Sequence, residues 1–98
     1  MYLKIHETRG GRIVAICDEA LVGKVLQDGK AVLDLNTYKN FYVGHKANEK
    51  EVEDALKSFS SANIVGNDPI AIAIKLKLVS KDDIVYIKGT PHIQIYKL

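Results

Sequence analysis

Residues 2–17 read Tyr2-Leu3-Lys4-Ile5-His6-Glu7-Thr8-Arg9-Gly10-Gly11-Arg12-Ile13-Val14-Ala15-Ile16-Cys17, which is two β-type runs, 2–6 and 12–17, around a glycine pair. In the first run, Leu3 and Ile5 alternate with Tyr, Lys and His, so the two apolar side chains share one face of a strand. The second run is apolar on both faces beyond its arginine, which is typical of a central strand. Two adjacent glycines between such runs favour a hairpin.

Further along the chain, the pattern predicts alternating helices and strands. Asp18 can cap a first helix, and Asn48 with Glu51 forms a capping-box pattern at the start of another. The segment 60–67 is interpreted as the end of one helix, a loop and the start of the next. The predicted elements are a helix over 19–27, a strand over 31–35, a loop over 36–47 with a short strand at 41–43, a helix over 49–60, and strands over 84–88 and 92–97.

Residues 68–78 fit two structures. Their isoleucines and leucines alternate, as they would in a strand, and β-branched content agrees. Asp68 and Pro69, in contrast, are a typical helix start, because proline lacks an N–H that the first helical turn would leave unpaired. We predict a helix over 69–77, with a strand as the alternative.

Size and composition indicate one α+β domain over residues 1–98, with a mixed or antiparallel sheet of about five strands and two to three helices. Hydrophobic residues make up 47% of the 98 residues, which supports a folded core. The formal net charge of +2 is too small to indicate nucleic-acid binding by itself. One cysteine and three scattered histidines give no metal-ligand spacing, so no metal or cofactor is expected.

Catalysis and membrane insertion have no support in the pattern. No Ser–His–Asp order and no paired carboxylates in an apolar setting are found, so no catalytic residue is assigned and enzymatic activity stays open. No apolar run approaches the ~20 residues of a membrane span, and no signal-peptide pattern is present. A cytoplasmic protein without a membrane partner is therefore expected.

The first candidate site contains the only two arginines of the chain, which flank the glycine pair. Glycine lets backbone N–H groups approach an anion, and the arginine fork can hold it with two bonds. The alternative is a solvated hairpin turn whose charges pair with one another, which is the commoner structure. The residues concerned are His6, Glu7, Arg9, Gly10, Gly11 and Arg12.

Two further candidates lie in turns near the middle and end of the chain. Asn63 and Gly66 belong to a small-residue segment that could form an anion nest before a helix, and the amide of Asn63 could read a base edge or fix a turn. His92 could act as an acid or base or stack on a nucleobase. The alternative, an ordinary turn with glycine and proline between two strands, accounts for most of this segment. If the first and last strands pair, His92 and Gln94 share a face and would lie near the N-terminal cluster that includes Arg9. Whether 6–12, 61–66 and 89–94 converge is open.

The chain resembles an archaeal family known as Domain of Unknown Function four-two-four. The resemblance rests on three stretches in the same order, Tyr2–Gly11, Ser61–Gly66 and Ile87–Tyr96. The family brings no established activity and no functional residues. The resemblance implies an archaeal, cytoplasmic protein.

The function expected first is a small non-catalytic binding protein associated with RNA or a ribonucleoprotein. Arg9 and Arg12 would hold phosphate, while Tyr42, His92 and Asn63 would contact bases. The segment 38–42 supports this, because it interleaves aromatic and cationic side chains, although ordinary loop packing explains it as well. Two alternatives stay open: a ligand-binding protein or enzyme with a pocket of His6, Glu7, Arg9 and His92, and a homodimeric interaction module that uses a strand edge such as 92–97.

Overall fold

A six-stranded mixed sheet forms the centre of the fold in the computed structural model, which describes residues 1–97. The strand order is β5-β1-β2-β6-β8-β7, and β2 and β6 are the parallel pair. A separate hairpin, β3–β4, lies outside this sheet. The strands are β1 (Tyr2–Thr8), β2 (Gly11–Cys17), β3 (Val25–Asp28), β4 (Ala31–Asp34), β5 (His45–Lys46), β6 (Ser61–Val65), β7 (Val85–Ile87) and β8 (Thr90–Tyr96). The predicted α+β class is confirmed.

The hairpin predicted at the start of the chain is confirmed, and the two strands predicted near its end also pair as a hairpin. Strands β1 and β2 pair in antiparallel register from Tyr2–Cys17 to Thr8–Gly11, which leaves Arg9 and Gly10 as a two-residue turn. Strands β7 and β8 also pair in antiparallel register, around a two-residue turn of Lys88 and Gly89. Both turn residues have positive φ angles, +52° and +75°.

Two helices cover one face of the sheet, α2 (Glu49–Ala55) and α3 (Asn67–Lys75). Helix α2 begins with the predicted capping box of Asn48 and Glu51 but ends earlier than expected. Residues 68–78 are helical over most of their length, so the helix prediction is confirmed. Ile70, Ile72 and Ala73 are buried against the sheet, where Val14, Ile16 and Ile64 complete the main core.

The other face of the sheet is covered only in part, by hairpin β3–β4 and the short helix α1 (Lys39–Tyr42). Leu33, Leu35 and Tyr42 pack there against Ala15, Cys17, Val65 and Ile87. The predicted helix over 19–27 is wrong. A single 3-10 turn, Glu19–Leu21, is followed by Gly23 at a φ of +92°, which ends the helical path, and β3 then pairs with β4.

Two more local predictions are wrong. The expected short strand at 41–43 belongs to α1 and the residue that follows it. The segment expected as a loop around Asn63 is β6, a central strand whose Ala62, Ile64 and Val65 are fully buried. The first and last strands do not pair, because β2 and β6 lie between β1 and β8. Within residues 1–97, no helix is long and apolar enough to cross a bilayer.

Candidate functional site

Polar side chains meet on the partly covered face of the sheet. Asn63 of β6 lies directly opposite Gln94 of β8, and His92 lies one pleat further along the same strand, opposite Val65. The side chain of Asn63 is half-buried, and that of Gln94 is exposed. Because side chains alternate between faces along a strand, these three polar groups point away from α2 and α3.

A pocket of about 550 Å³ lies above these three side chains. This is the volume range of small-molecule sites. We call it the amide–aromatic pocket. It is lined by Asn63, His92 and Gln94 of the sheet and by Val32, Leu33, Asp34, Leu35, Tyr38, Phe41 and Tyr42 of the segment that covers it.

Aromatic rings form one wall of the amide–aromatic pocket. Tyr38 is 63% exposed, so its side chain is open to solvent at this wall. Phe41 and Tyr42 meet edge to face with their ring centroids 5.1 Å apart, which fixes the wall. His6 supports Phe41 from behind: the two rings stack at 4.7 Å, and Nε2 of His6 lies 2.9 Å from the Phe41 carbonyl oxygen.

The amide–aromatic pocket carries little charge. Burial lowers the pKa of His92 below its usual 6.5, so the imidazole is neutral at pH 7 and offers one donor and one acceptor. Burial raises the pKa of Tyr42 to about 12, so its phenol keeps its proton. Asp34 is the one acidic group in the lining, and its Oδ1 accepts from the backbone N–H groups of Thr37 and Asn36 at 2.8 and 3.1 Å. Hydrogen bonding, first of all from the Thr37 backbone, lowers the pKa of Asp34.

An uncovered strip of the same sheet face adjoins the pocket. The strand registers place His6, Ile13, Ser61 and Tyr96 in one row across β1, β2, β6 and β8. Tyr96 is 69% exposed, and Ile13 and Ser61 are only partly covered. An open sheet surface with aromatic side chains is how several RNA-binding domains present a platform to bases.

The two arginines lie away from this pocket. Nε of Arg12 donates to Oε1 of Glu7 at 2.6 Å across the β1–β2 hairpin, so the expected mutual pairing of the turn charges is confirmed. Arg9 is exposed at the tip and makes no ion pair within the described chain. Gly10 is exposed in the same turn.

Packing explains the glycine at position 11 without an anion site. Its φ of +119° is a conformation that other residues avoid, and a Cβ at this position would collide with Oγ of Ser60. Ser60 is itself fixed, because its backbone N–H donates to the Arg12 carbonyl at 2.8 Å. The glycine thus lets the hairpin lie against the segment that leads into β6.

The predicted site residues therefore separate into two groups. Asn63 and His92 come together in the amide–aromatic pocket, and His6 contacts its wall. Glu7, Arg9, Gly10, Gly11 and Arg12 lie outside it. The pocket of His6, Glu7, Arg9 and His92 is not formed. His92 is level with Tyr2 across the sheet, so Arg9 lies about 20 Å away along the strand direction.

Gln94 was not named as a candidate site residue, although the predicted strand over 92–97 puts its side chain on the same face as that of His92. Strand β8 confirms this shared face. Asp34 was missed as well, because only the packing of hairpin β3–β4 on the sheet brings it to the pocket. No pattern in the sequence indicates that contact.

A second cavity, of about 460 Å³, lies at the carboxyl ends of β2 and β6 and includes Asp18, Glu19 and Asp68. The anion nest considered as an alternative beside Gly66 is not formed, because the Asp18 carboxylate already lies against Gly66 and the start of α3. Burial and the nearby Asp68 charge raise the pKa of Asp18. Within residues 1–97, no group of three or more metal-ligating side chains is found.

Comparison with known proteins supports the resemblance seen in the sequence. No curated protein matches the chain. Among solved structures, the chain is similar to an uncharacterized conserved protein from Methanopyrus kandleri, known from a crystal structure, with 26% sequence identity and a TM-score of 0.79. The similarity covers 97% of this chain and 89% of the other. A family model with the description "Protein of unknown function (DUF424)" matches residues 6–98, so the chain belongs to this family.

Proposed function

We propose that this protein is a non-catalytic binding protein that holds a nucleobase of single-stranded RNA in the amide–aromatic pocket. One observation carries the proposal: the amides of Asn63 and Gln94 lie beside the exposed ring of Tyr38 in one concave site. A base needs both a flat apolar surface for stacking and polar groups that match its edge. The pocket offers both.

The polar groups suit a neutral, planar ring with donors and acceptors on its edge. Each of the two amides carries donors and an acceptor, and neutral His92 adds one donor and one acceptor. Oε1 of Gln94 accepts from the hydroxyl of Tyr96 at 3.2 Å, which leaves its second lone pair and the NH₂ group for a base edge. A phosphate would find no cation in this lining. The site therefore favours the base over the charged part of a nucleotide.

A cation beyond the pocket suits the backbone of a strand rather than a free base. Arg9 lies at the hairpin tip, at the end of the sheet beyond the row that includes Tyr96. A chain that crosses the uncovered strip could contact it with a phosphate. We place this binding in the cytoplasm, where the free thiol of Cys17 would stay reduced.

The experiment is fluorescence anisotropy with a labelled single-stranded RNA of mixed sequence, at about 20 and about 200 mM salt. The wild-type protein is expected to bind at low salt and more weakly at high salt. The double variant Asn63→Ala/Gln94→Ala should lose at least about tenfold in affinity, since each good base contact contributes about 1–3 kcal/mol. Gln27→Ala on β3, an exposed amide outside the pocket, is the matched control and should bind as the wild type does.

Two results would overturn the proposal. The first is no binding at low salt, where phosphate contacts are strongest. The second is binding that the double variant leaves unchanged, because the base contacts would then lie elsewhere on the molecule.

A further inference from the structure

The outer edge of β8 is open over its second half. Strand β7 pairs with β8 only from Thr90 to His92. On the inner side, Pro91 accepts from Gly66 and Lys97 donates to Ser60 at 2.9 Å, so the odd-numbered residues of β8 bond to β6. Because bonding directions alternate in an antiparallel ladder, the N–H and C=O groups of Gln94 and Tyr96 point outward. Up to residue 97, no backbone partner meets them at this edge.

This open edge lacks the usual protection against pairing. Natural sheets guard exposed edges with charged residues, prolines or bulges. Strand β1 also has a free edge beyond Leu3, but that segment carries Lys4 and Glu7. The free part of β8, Ile93–Tyr96, carries no charge and no proline. The groove beside it has a volume of about 500 Å³ and is walled by Val79, Asp83 and Val85.

We propose that a second copy of this chain pairs with this edge, β8 against β8 in antiparallel register about a two-fold axis at Ile95. Gln94 then lies opposite the partner's Tyr96, and Tyr96 opposite the partner's Gln94. The outward backbone groups of both strands are satisfied by four hydrogen bonds. Ile95, which packs at the margin of the main core, meets the partner's Ile95 on the helix-covered face.

Charge complementarity favours a second copy over an unrelated peptide. In this register Lys97 lies opposite the partner's Ile93, next to the groove wall that holds the partner's Asp83. The two-fold axis repeats the contact, so each dimer gains two Lys97–Asp83 pairs. In the single chain, Nζ of Lys97 lies 4.1 Å over the ring of Phe59, and Oδ2 of Asp83 accepts from the backbone N–H and hydroxyl of Ser80. The ion pair therefore forms when Lys97 turns from Phe59 to Oδ1 of the partner's Asp83, and a second copy supplies both this cation and the strand.

The interface is short, so the dimer is expected to be weak and dependent on concentration. Light scattering after size-exclusion chromatography, between about 10 µM and about 1 mM protein, should show the mass rise toward that of a dimer. Lys97→Glu should keep the protein monomeric, because it places two carboxylates together. The double variant Lys97→Glu/Asp83→Lys should restore the dimer. Circular dichroism checks that each variant is folded.

A monomer mass at every concentration would overturn the inference, as would a dimer that Lys97→Glu leaves intact or that the charge exchange does not restore. Hydrogen exchange on the wild-type protein gives a test without variants. The amides of Gln94 and Tyr96 should exchange more slowly as concentration rises, while the amide of Ile5 on the other free edge should not change. Equal behaviour of the two edges would contradict the pairing. None of these measurements involves RNA, so the inference stands or falls independently of the proposed function.

Discussion

Asn63 and Gln94 lie directly opposite each other on β6 and β8, at the margin of the region that hairpin β3–β4 and α1 cover. Oε1 of Gln94 accepts from the hydroxyl of Tyr96 at 3.2 Å, and the other donors and acceptors of the two amides can bind water or a ligand. The aromatic wall beside them supplies the flat surface that water does not use. This relationship explains why one face of the sheet combines polar groups with rings.

Tyr38 and Tyr42 should respond differently to truncation. Tyr38→Ala should lower RNA affinity about tenfold, in line with about 1–3 kcal/mol for a stacked base, and change the free energy of unfolding by less than about 0.5 kcal/mol. Tyr42 is 6% exposed, so Tyr42→Ala should lower the free energy of unfolding by about 3 kcal/mol. Urea unfolding and anisotropy measure the two effects. If Tyr38→Ala binds RNA as the wild type does, the ring is not a stacking surface.

Glu7 holds Arg12, so its removal should release a cation for phosphate. Glu7→Gln should tighten RNA binding at low salt and lower the free energy of unfolding by no more than about 1 kcal/mol, since both side chains are largely exposed. Asp82→Asn removes the same charge from an exposed site and is the matched control for net charge. Equal tightening in both variants would show that only the net charge matters and that Arg12 has no specific role.

His92 should make stability depend on pH. Its folded-state pKa is below 6.5 because burial opposes the charged ring, so the unfolded chain binds the proton more readily. The free energy of unfolding should therefore be fully developed above about pH 6.5 and fall as the pH is lowered toward the folded-state pKa. His92→Gln should flatten this slope. Urea titrations at several pH values measure it, and an unchanged slope in the variant would assign the effect to other groups.

Gly66 should tolerate no side chain. Its φ of +109° already disfavours other residues, and a Cβ would collide with the Asp18 carboxylate. We expect Gly66→Ala to lower the free energy of unfolding by at least about 2 kcal/mol. Gly23→Ala is the control, because Gly23 has a φ of +92° but open space around it. Equal losses in urea unfolding would show that the Asp18 contact adds nothing to the backbone strain.

Local signals in the sequence were sufficient for the elements that depend on local chemistry. The glycine turn after β1 and the capping box at Asn48 are predicted correctly. The helix after Asn63 is also predicted, but it begins at Asn67 with Gly66 as N-cap, and Asp68 does not cap it. The helix over 19–27 failed because Gly23 and the pairing of β3 with β4 override the apolar stripe. Strand β6 was missed because its burial comes from β2 and β8, which are distant in sequence.

The candidate site also combines features that local sequence predicts with features that depend on residues distant in sequence. Asn63 and His92 could be chosen by residue type, but their meeting depends on the pairing of β6 with β8 and could not be predicted. The arginines were visible in the sequence because they are rare, yet rarity does not show where a side chain points. That Gln94 shares a face with His92 could be predicted from strand alternation alone.

The most direct test of the amide–aromatic pocket is a nuclear magnetic resonance titration that follows side-chain NH₂ signals while single-stranded RNA is added at low salt. If the pocket holds a base, the signals of Asn63 and Gln94 should shift in step with binding, while that of Gln27 stays in place. Saturation with RNA that moves only the backbone signals of residues 9–12, or no signal at all, would contradict the account.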